Sequence, residues 1–334
     1  MLEAEGYEIV QQSLLSDDYL NNKFAGKKIN LLLIAKFYLK RLLFILKNRD
    51  AELAIVYMEV FPYLPYWIEN FLLLKSVPYI VDIDDAIFLN YQTNRGHFLY
   101  YLLKNKFGQL FANARAVFSG SPFLSSIIAN HGATVLPIPT VVDMNYYSVT
   151  KKFDDLDSRP ITIGWMGSPS TARNLTAIQP ALKEVVKKFN AKLFFVGSGP
   201  LPEFNSIAEI KDWSIHTELE DLRKMDIGIM PLEDNEWNRG KCGFKIIQYM
   251  AIGLPTVGSP VGVNSEIIEN NVTGYLASTH EEWVSSLSQL INDRMKLRNF
   301  GTAGRKRAQK IYSLQATLPL VSNAVRTYSS AEEL

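Results

Sequence analysis

Ile161-Thr-Ile-Gly-Trp165 decides the fold. This short apolar, β-branched run begins directly after Ser148–Pro160, a stretch rich in Lys, Asp and Ser, and such a run after a polar pause reads as the first strand of a new domain. Upstream, Ala51-Glu-Leu-Ala-Ile-Val-Tyr-Met58, Pro78-Tyr-Ile-Val-Asp82, Ala116-Val-Phe-Ser119 and Thr134-Val-Leu-Pro137 alternate with longer segments of helical period. Downstream, the pattern predicts a helix near 173–189, a strand at 192–196, a strand near 213–217, a helix at 218–224, a strand at 226–230, a helix at 243–252, a strand at 255–258, and helices to the end. Alternating βα units imply parallel sheets covered by helices on both faces, an α/β chain in two doubly wound halves. A length of 334 residues suits two domains, and the boundary falls so that 1–150 forms one and 151–334 the other.

Composition removes several function classes. Lys and Arg number 35 against 34 Asp and Glu, a net charge of +1, so no basic excess draws the chain to nucleic acid. Cys242 is the only cysteine, which excludes an internal disulfide and a cysteine-based zinc site and suits a reducing compartment. His97, His131, His216 and His280 are scattered, leaving no legible metal cluster. Met1–Val10 carries Glu3, Glu5 and Glu8 where a secretory signal needs a basic start and an apolar run, so a cytoplasmic location is expected. Ile29–Leu46 is apolar but interrupted by Lys36, Lys40 and Arg41, which argues against a membrane span. The surrounding window Tyr19–Arg49 holds eight basic residues and no acidic one. Two readings stand: a core helix with a solvated basic edge, or a surface helix that rests on anionic lipid as a peripheral membrane contact.

The densest chemical signal is Arg239-Gly-Lys-Cys-Gly-Phe-Lys-Ile-Ile-Gln-Tyr-Met-Ala-Ile-Gly-Leu-Pro-Thr-Val257. Gly243 frees the entry to a helix, Gly253 ends it, and Pro255 stops it from resuming. Lys245 and Gln248 share a helix face, with Lys241 one turn earlier. Free N–H groups at a helix start together with two ammonium groups favour a bound phosphate; the plain alternative is a surface helix with solvated lysines. Gly197-Ser-Gly199 follows a strand but has Pro202 where a dinucleotide fingerprint needs its third glycine, so it reads as a tight turn. Phe61, Tyr63, Tyr66, Trp67 and Phe71 fit the apolar face of a helix after Pro62 and are expected in the core.

With these residues in view, the sequence resembles the retaining glycosyltransferases of family 4, which have the GT-B fold of two facing Rossmann-like domains. The resemblance rests on Gly164-Trp-Met-Gly-Ser-Pro-Ser-Thr171, Phe195-Val-Gly-Ser-Gly-Pro200, Asp226-Ile-Gly-Ile-Met-Pro-Leu232, the Lys/Gln helix, Val261-Gly-Val-Asn-Ser-Glu266, Tyr79-Ile-Val-Asp-Ile-Asp-Asp85 and Ser119-Gly-Ser-Pro-Phe-Leu124, in that family's order. It implies transfer of a sugar from a nucleoside diphosphate to a hydroxyl of a glycan or lipid-linked glycan, without a metal, in bacterial surface-polysaccharide assembly. It also implies that Lys245 and Lys241 neutralise the donor diphosphate, that Gly167 and Ser168 offer it backbone N–H groups, that Arg173 adds a cation, and that Gln248 binds ribose hydroxyls. Glu266 is either a donor contact or a helix N-terminal charge. The family's pair of glutamates eight positions apart is not intact, because Gln248 replaces the second and Gly240 stands at the first. Asp82 and Asp84, with His97, are candidates on the acceptor side. Two alternatives remain at this stage: a non-catalytic binding subunit, and a metal-dependent GT-A transferase in which Asp82 and Asp84 hold the metal.

The resemblance also implies an expectation about the N-terminus. Family members open with a strand, a glycine turn and a helix that ends in a pattern like Gly-Tyr-Glu-Ile-Val, whereas Gly6-Tyr-Glu-Ile-Val10 stands near the start here. The first strand would therefore be missing, through truncation, a mis-assigned start or an impaired first domain.

Overall fold

The computed structural model describes residues 2–16, 19, 30–71, 77–92, 97–153 and 158–329, and for residues 97–99 the backbone only. Two all-parallel sheets form the frame. The first orders β1 (Ala54–Tyr57), β2 (Tyr79–Ile83), β3 (Ala116–Ser119) and β4 (Val135–Pro137) side by side in chain order. The second comprises β5 (Thr162–Met166), β6 (Lys192–Val196), β7 (Ala208–Lys211), β8 (Ile227–Met230), β9 (Thr256–Gly258) and β10 (Gly274–Leu276), in the spatial order β10-β9-β8-β5-β6-β7. The order reverses where β5 lies beside β8. In open parallel sheets, ligands bind outside the carboxyl ends of the strands at such a reversal.

The helices are α1 (Leu31–Lys47), α2 (His97–Leu103), α3 (Lys106–Ala112), α4 (Pro122–Ala129), α5 (Pro169–Ala177), α6 (Gln179–Phe189), α7 (Glu218–Lys224), α8 (Phe244–Ile252), α9 (His280–Asn292), α10 (Arg294–Ile311) and α11 (Leu314–Ser329), with several single-turn segments between them. Alternate residues of β2 and β3 feed two separate cores. Tyr79, Val81, Ile83 and Val117 pack with Leu110, Phe111 and Leu124 from α3 and α4, whereas Ile80, Ala116 and Phe118 pack against Ala324 of α11. The last helix thus leaves the second sheet and covers a face of the first.

These two sheets meet the α/β expectation and overturn the GT-A fold. Four local readings need correction. The helix expected near 173–189 divides into α5 and α6 at Ile178, because Pro180 lacks the N–H that would continue it. The strand expected near 213–217 lies earlier, at β7, where Ala208–Lys211 continues β6 in register; residues 213–217 form the turn into α7. Strand β10 has only three residues, too few to show a period. The aromatic cluster splits, since Phe61 and Tyr66 are buried whereas Tyr63, Trp67 and Phe71 are exposed. The α-helical segment there is Tyr66–Glu69, continued as π-helix at residues 70–71, with Tyr63 before it at φ 60°. As for the N-terminus, Leu2–Glu5 is one 3-10 turn and residues 7–13 carry no regular structure.

The chain enters the second sheet past a buried acid. Asp226, fully buried before β8, receives Arg159 Nη1 and Nη2 at 2.7 and 2.8 Å, the Thr162 N–H at 2.8 Å, and Lys151 Nζ at 2.8 Å. Burial would raise this carboxyl, but Arg159 and Lys151 outweigh it and hold it below the usual range. Asp226→Ala removes the buried carboxylate that Arg159, Lys151 and the Thr162 N–H share, and is expected to destabilise the protein by about 3–5 kcal/mol. Urea unfolding of the variant against the parent measures it.

Candidate active site

At the sheet reversal, β5 runs into Gly167 and Ser168, and Ser168 caps α5 with Pro169 at its first turn. The Gly167 N–H donates to the Val196 carbonyl at 2.9 Å. It is therefore spent on the sheet and is not offered to a ligand, which corrects the expectation for Gly167; its role is spatial. A Cβ there would collide with Lys245 Cε and, at 2.7 Å, with the Trp165 ring. Gly197 and Gly199 adopt φ +76° and +66°, the left-handed region expected of a tight turn, and Gly197 rests on the Gly167 carbonyl.

Helix α8 delivers the lysines. Its side chains from Ile246 to Ile252 are buried, and Tyr249 fixes its height. The Tyr249 ring fills the space over Gly228, and its hydroxyl accepts the Met166 N–H at 3.0 Å. Lys245, on the first turn, is thereby set at the end of β5. Its Nζ donates to Thr171 Oγ1 at 3.1 Å and lies 5.1 Å from the Trp165 ring centre. Enclosure and the neighbouring Lys241 charge lower the Lys245 ammonium to about 7, against a partial pull upward from Asp85. Lys241 reaches toward Asp85, Nζ to Oδ1 3.8 Å, across the gap between the sheets.

The first sheet supplies the facing wall. Asp82, Asp84 and Asp85 lie at the carboxyl end of β2 and just beyond it. Tyr57, at the end of the edge strand β1, donates to Asp84 Oδ2 at 2.8 Å, and Asp84 Oδ1 is buried with no partner among the described residues. Burial, reinforced by the Asp84 charge, raises the Asp82 carboxyl to about 6. The missing glutamate now has a physical reason. A Cβ at Gly240 would come 2.5 Å from Ala86 Cβ, so the loop bearing Lys241 presses on the loop bearing Asp85, leaving no room for a carboxylate side chain.

Gln248 is buried and already engaged. Its Nε2 donates to the Tyr147 hydroxyl at 2.8 Å, and that hydroxyl donates to Glu218 Oε1 at 2.9 Å. Glu218 Oε2 accepts the Trp213 indole N–H at 2.9 Å. Among the described residues nothing bonds Gln248 Oε1, the atom left to accept a hydroxyl. No local motif marks Tyr147, Glu218, Trp213 or Tyr57, which join the site through tertiary contacts. Arg173 lies exposed on α5. Glu266 is exposed in the one-turn helix Asn264–Ile267, its carbonyl taken by Arg307 Nη2 at 2.7 Å. His97 opens α2, and its side chain lies outside the described atoms. Among the described residues no three His, Cys, Asp or Glu side chains gather as a metal set.

The fold is that of the GT-B proteins, and residues 160–293 match the family described as Glycosyl transferases group 1. The chain is similar to N-acetyl-alpha-D-glucosaminyl L-malate synthase of Bacillus anthracis, 29% identical over 152 residues, which is 41% of this chain and 39% of that protein. The matched part thus spans about two fifths of that relative's length. Among solved structures, S. aureus TarM, crystallised as a variant with fondaparinux, alpha-GlcNAc-glycerol and UDP, superposes with a TM-score of 0.66 at 17% identity, covering 88% of this chain and 59% of that one. Anabaena HepE in complex with UDP gives 0.67 at 13% identity over 87% and 82% of the two chains. Sucrose-phosphate synthase from Thermosynechococcus elongatus gives 0.67 at 14% identity over 92% and 82%.

The titration of Lys245 has a defined sign. An anion bound beside it raises its affinity for protons, so the complex keeps a charge that the free site loses above about pH 7. Binding of a nucleoside-diphosphate sugar, whose diphosphate does not titrate near neutrality, is expected to weaken about tenfold or more from pH 6.5 to 8.5. Lys245→Arg, ionised throughout, is expected to flatten that profile. Isothermal titration at a series of pH values reads both.

Proposed function

We propose that the protein transfers a hexose-type sugar from a nucleoside diphosphate to a hydroxyl of a glycan or lipid-linked glycan, with retained anomeric configuration and without a metal. The observation that carries this reading is the arrangement of Lys241 and Lys245 at the reversal of the second sheet, opposite Asp82, Asp84 and Asp85 of the first. Transfer needs a stabilised departing diphosphate and a positioned acceptor. In this reading Lys245 and Lys241 take the charge of the diphosphate, helped by the start of α5 at Ser168 and by Arg173. Gln248 Oε1 accepts a ribose hydroxyl, and Glu266 borders the donor. Asp82 and Asp84 accept the proton-bearing face of the acceptor, with His97 on the same side. The fold, the group 1 match and the UDP complexes of TarM and HepE support the donor class. Bacterial surface-polysaccharide assembly at the inner face of the cell membrane suits such an acceptor, and nucleic acid has no part in it.

A second reading, a binding subunit that does not turn over, draws on the packing at Gly240, which replaces a family carboxylate. Release of free nucleoside diphosphate in the presence of acceptor separates the two. A thermal-shift screen of nucleotide sugars supplies the donor, since a ligand that binds the folded state raises its stability, and nuclear magnetic resonance of the product reports the anomeric outcome.

Lys245→Ala is expected to lower kcat by roughly 10²–10³, by analogy with the loss of one oxyanion donor. Normal turnover by a variant with an unchanged circular dichroism spectrum would sink the assignment. Transfer is also expected to proceed in excess EDTA. Complete loss of the reaction, restored by Mn²⁺, would show that a metal carries the charge assigned here to the lysines.

A further inference from the structure

Helix α1 packs part of its apolar surface and exposes a row of leucines; Phe37 meets the Tyr19 ring edge-on at 5.7 Å. Tyr38, Leu42 and Ile45 pack on the core of the first sheet. The Tyr38 hydroxyl donates to the Pro62 carbonyl at 2.6 Å, and Arg41 donates to Gln12 Oε1 at 2.5 Å and to the Gln12 carbonyl at 2.9 Å. These contacts fix the rotation of the helix. The arc beside these residues presents Leu32, Leu39, Leu43 and Leu46, of which the first three are 83%, 56% and 58% exposed. At helical period those four leucines fall within an arc of about 60°. Lys36, Lys40 and Lys47 occupy the adjoining arc of about 40°, and no acidic residue lies on the helix. One face of α1 therefore packs on the first core, as the core-helix reading expects, although no residue of α1 is fully buried. Of the eight cations in the window, Lys23, Lys27 and Lys28 lie outside the described residues.

We infer that α1 is a docking helix for an anionic lipid surface, lying in the membrane plane with the leucine row in the acyl boundary and the lysine row among the headgroups. The occupant follows from charge and shape. The row from Leu32 to Leu46 is about 21 Å long, and none of the helices among the described residues is long and apolar enough to cross a membrane. An apolar stripe edged by lysines is the pattern that binds in the interface, and each near-surface cation multiplies affinity for an anionic surface by about fivefold. A second copy of the chain fits less well, because it would gather six ammonium groups around one apolar seam with no carboxylate on either helix. Docking belongs to the half that carries Asp82 and Asp84, so it would bring a lipid-linked acceptor to the wall that receives it. That last consequence rests on the proposed transferase reading; the docking does not.

The test is flotation of the whole chain with phosphatidylcholine vesicles, with and without phosphatidylserine, at low and high salt. Binding is expected only to the anionic vesicles and to disappear in high salt. Leu39→Gln with Leu43→Gln is expected to lower it by at least about tenfold, and Lys36→Gln with Lys40→Gln by about 25-fold, both with unchanged melting temperature and unchanged nucleotide-sugar binding. Should the leucine variant unfold, the lysine variant decides alone. Equal binding to neutral and anionic vesicles, binding to neither, or retention of binding by the folded variants overturns the proposal. So does a wild-type dimer in solution that the leucine variant converts to monomer. Loss of nucleotide-sugar binding by the wild type would count against the transferase reading and leave this one standing.

Discussion

Two like charges enclosed together are a standing electrostatic debt, and the site is arranged around it. Lys245 has one polar partner among the described residues, the Thr171 hydroxyl, and its neighbour Lys241 adds repulsion rather than relief. Asp85 offsets part of this from across the gap but at a distance too long for a tight pair. Holding Lys245 there demands rigidity from everything behind it. Gly167 must lack a side chain, Tyr249 must occupy the space over Gly228, and Gly243 must enter the helix at φ +72°. A multivalent anion is the ligand that relieves the repulsion at the least rearrangement.

The close approach of the two halves explains a departure from the family pattern that motif comparison could only register. Gly240 touches Ala86, and Cys242 fills the space beside Gly120 as part of the first core. One short loop of the second half therefore presses on the carboxyl ends of β2 and β3. A glutamate at position 240 would have to push that contact apart, so whatever orients the donor sugar must be sought among groups that keep it closed. Asp84, which accepts a hydrogen bond from Tyr57 and has one buried oxygen with no partner among the described residues, is one such group on the first wall.

Much of the frame was legible in sequence because buried parallel strands are written as uninterrupted apolar runs. Tyr79–Val81 and Phe194–Val196 show this plainly, each buried throughout. The helix that carries Lys245 and Gln248, entered at Gly243 and closed at Gly253, was legible too. What failed to show was long-range. The Gln248–Tyr147–Glu218–Trp213 chain joins four segments by hydrogen bonds that no local spacing encodes. The Gly167 N–H was misassigned because its partner, Val196, lies on the neighbouring strand. Periodicity also misjudged Trp67 and Phe71, which are exposed although Tyr66 beside them is buried.

The passage of α11 back onto the first sheet has a mechanical consequence. The chain crosses between the halves twice, and the crossings lie side by side: the Val142 N–H donates to the Tyr312 carbonyl at 2.9 Å, and the Leu314 N–H to the Val142 carbonyl at 3.1 Å. Two tethers clasped at one place form a pivot with a defined line, unlike a single linker, which permits swivelling in any direction. Sliding of one half past the other would have to break these two hydrogen bonds.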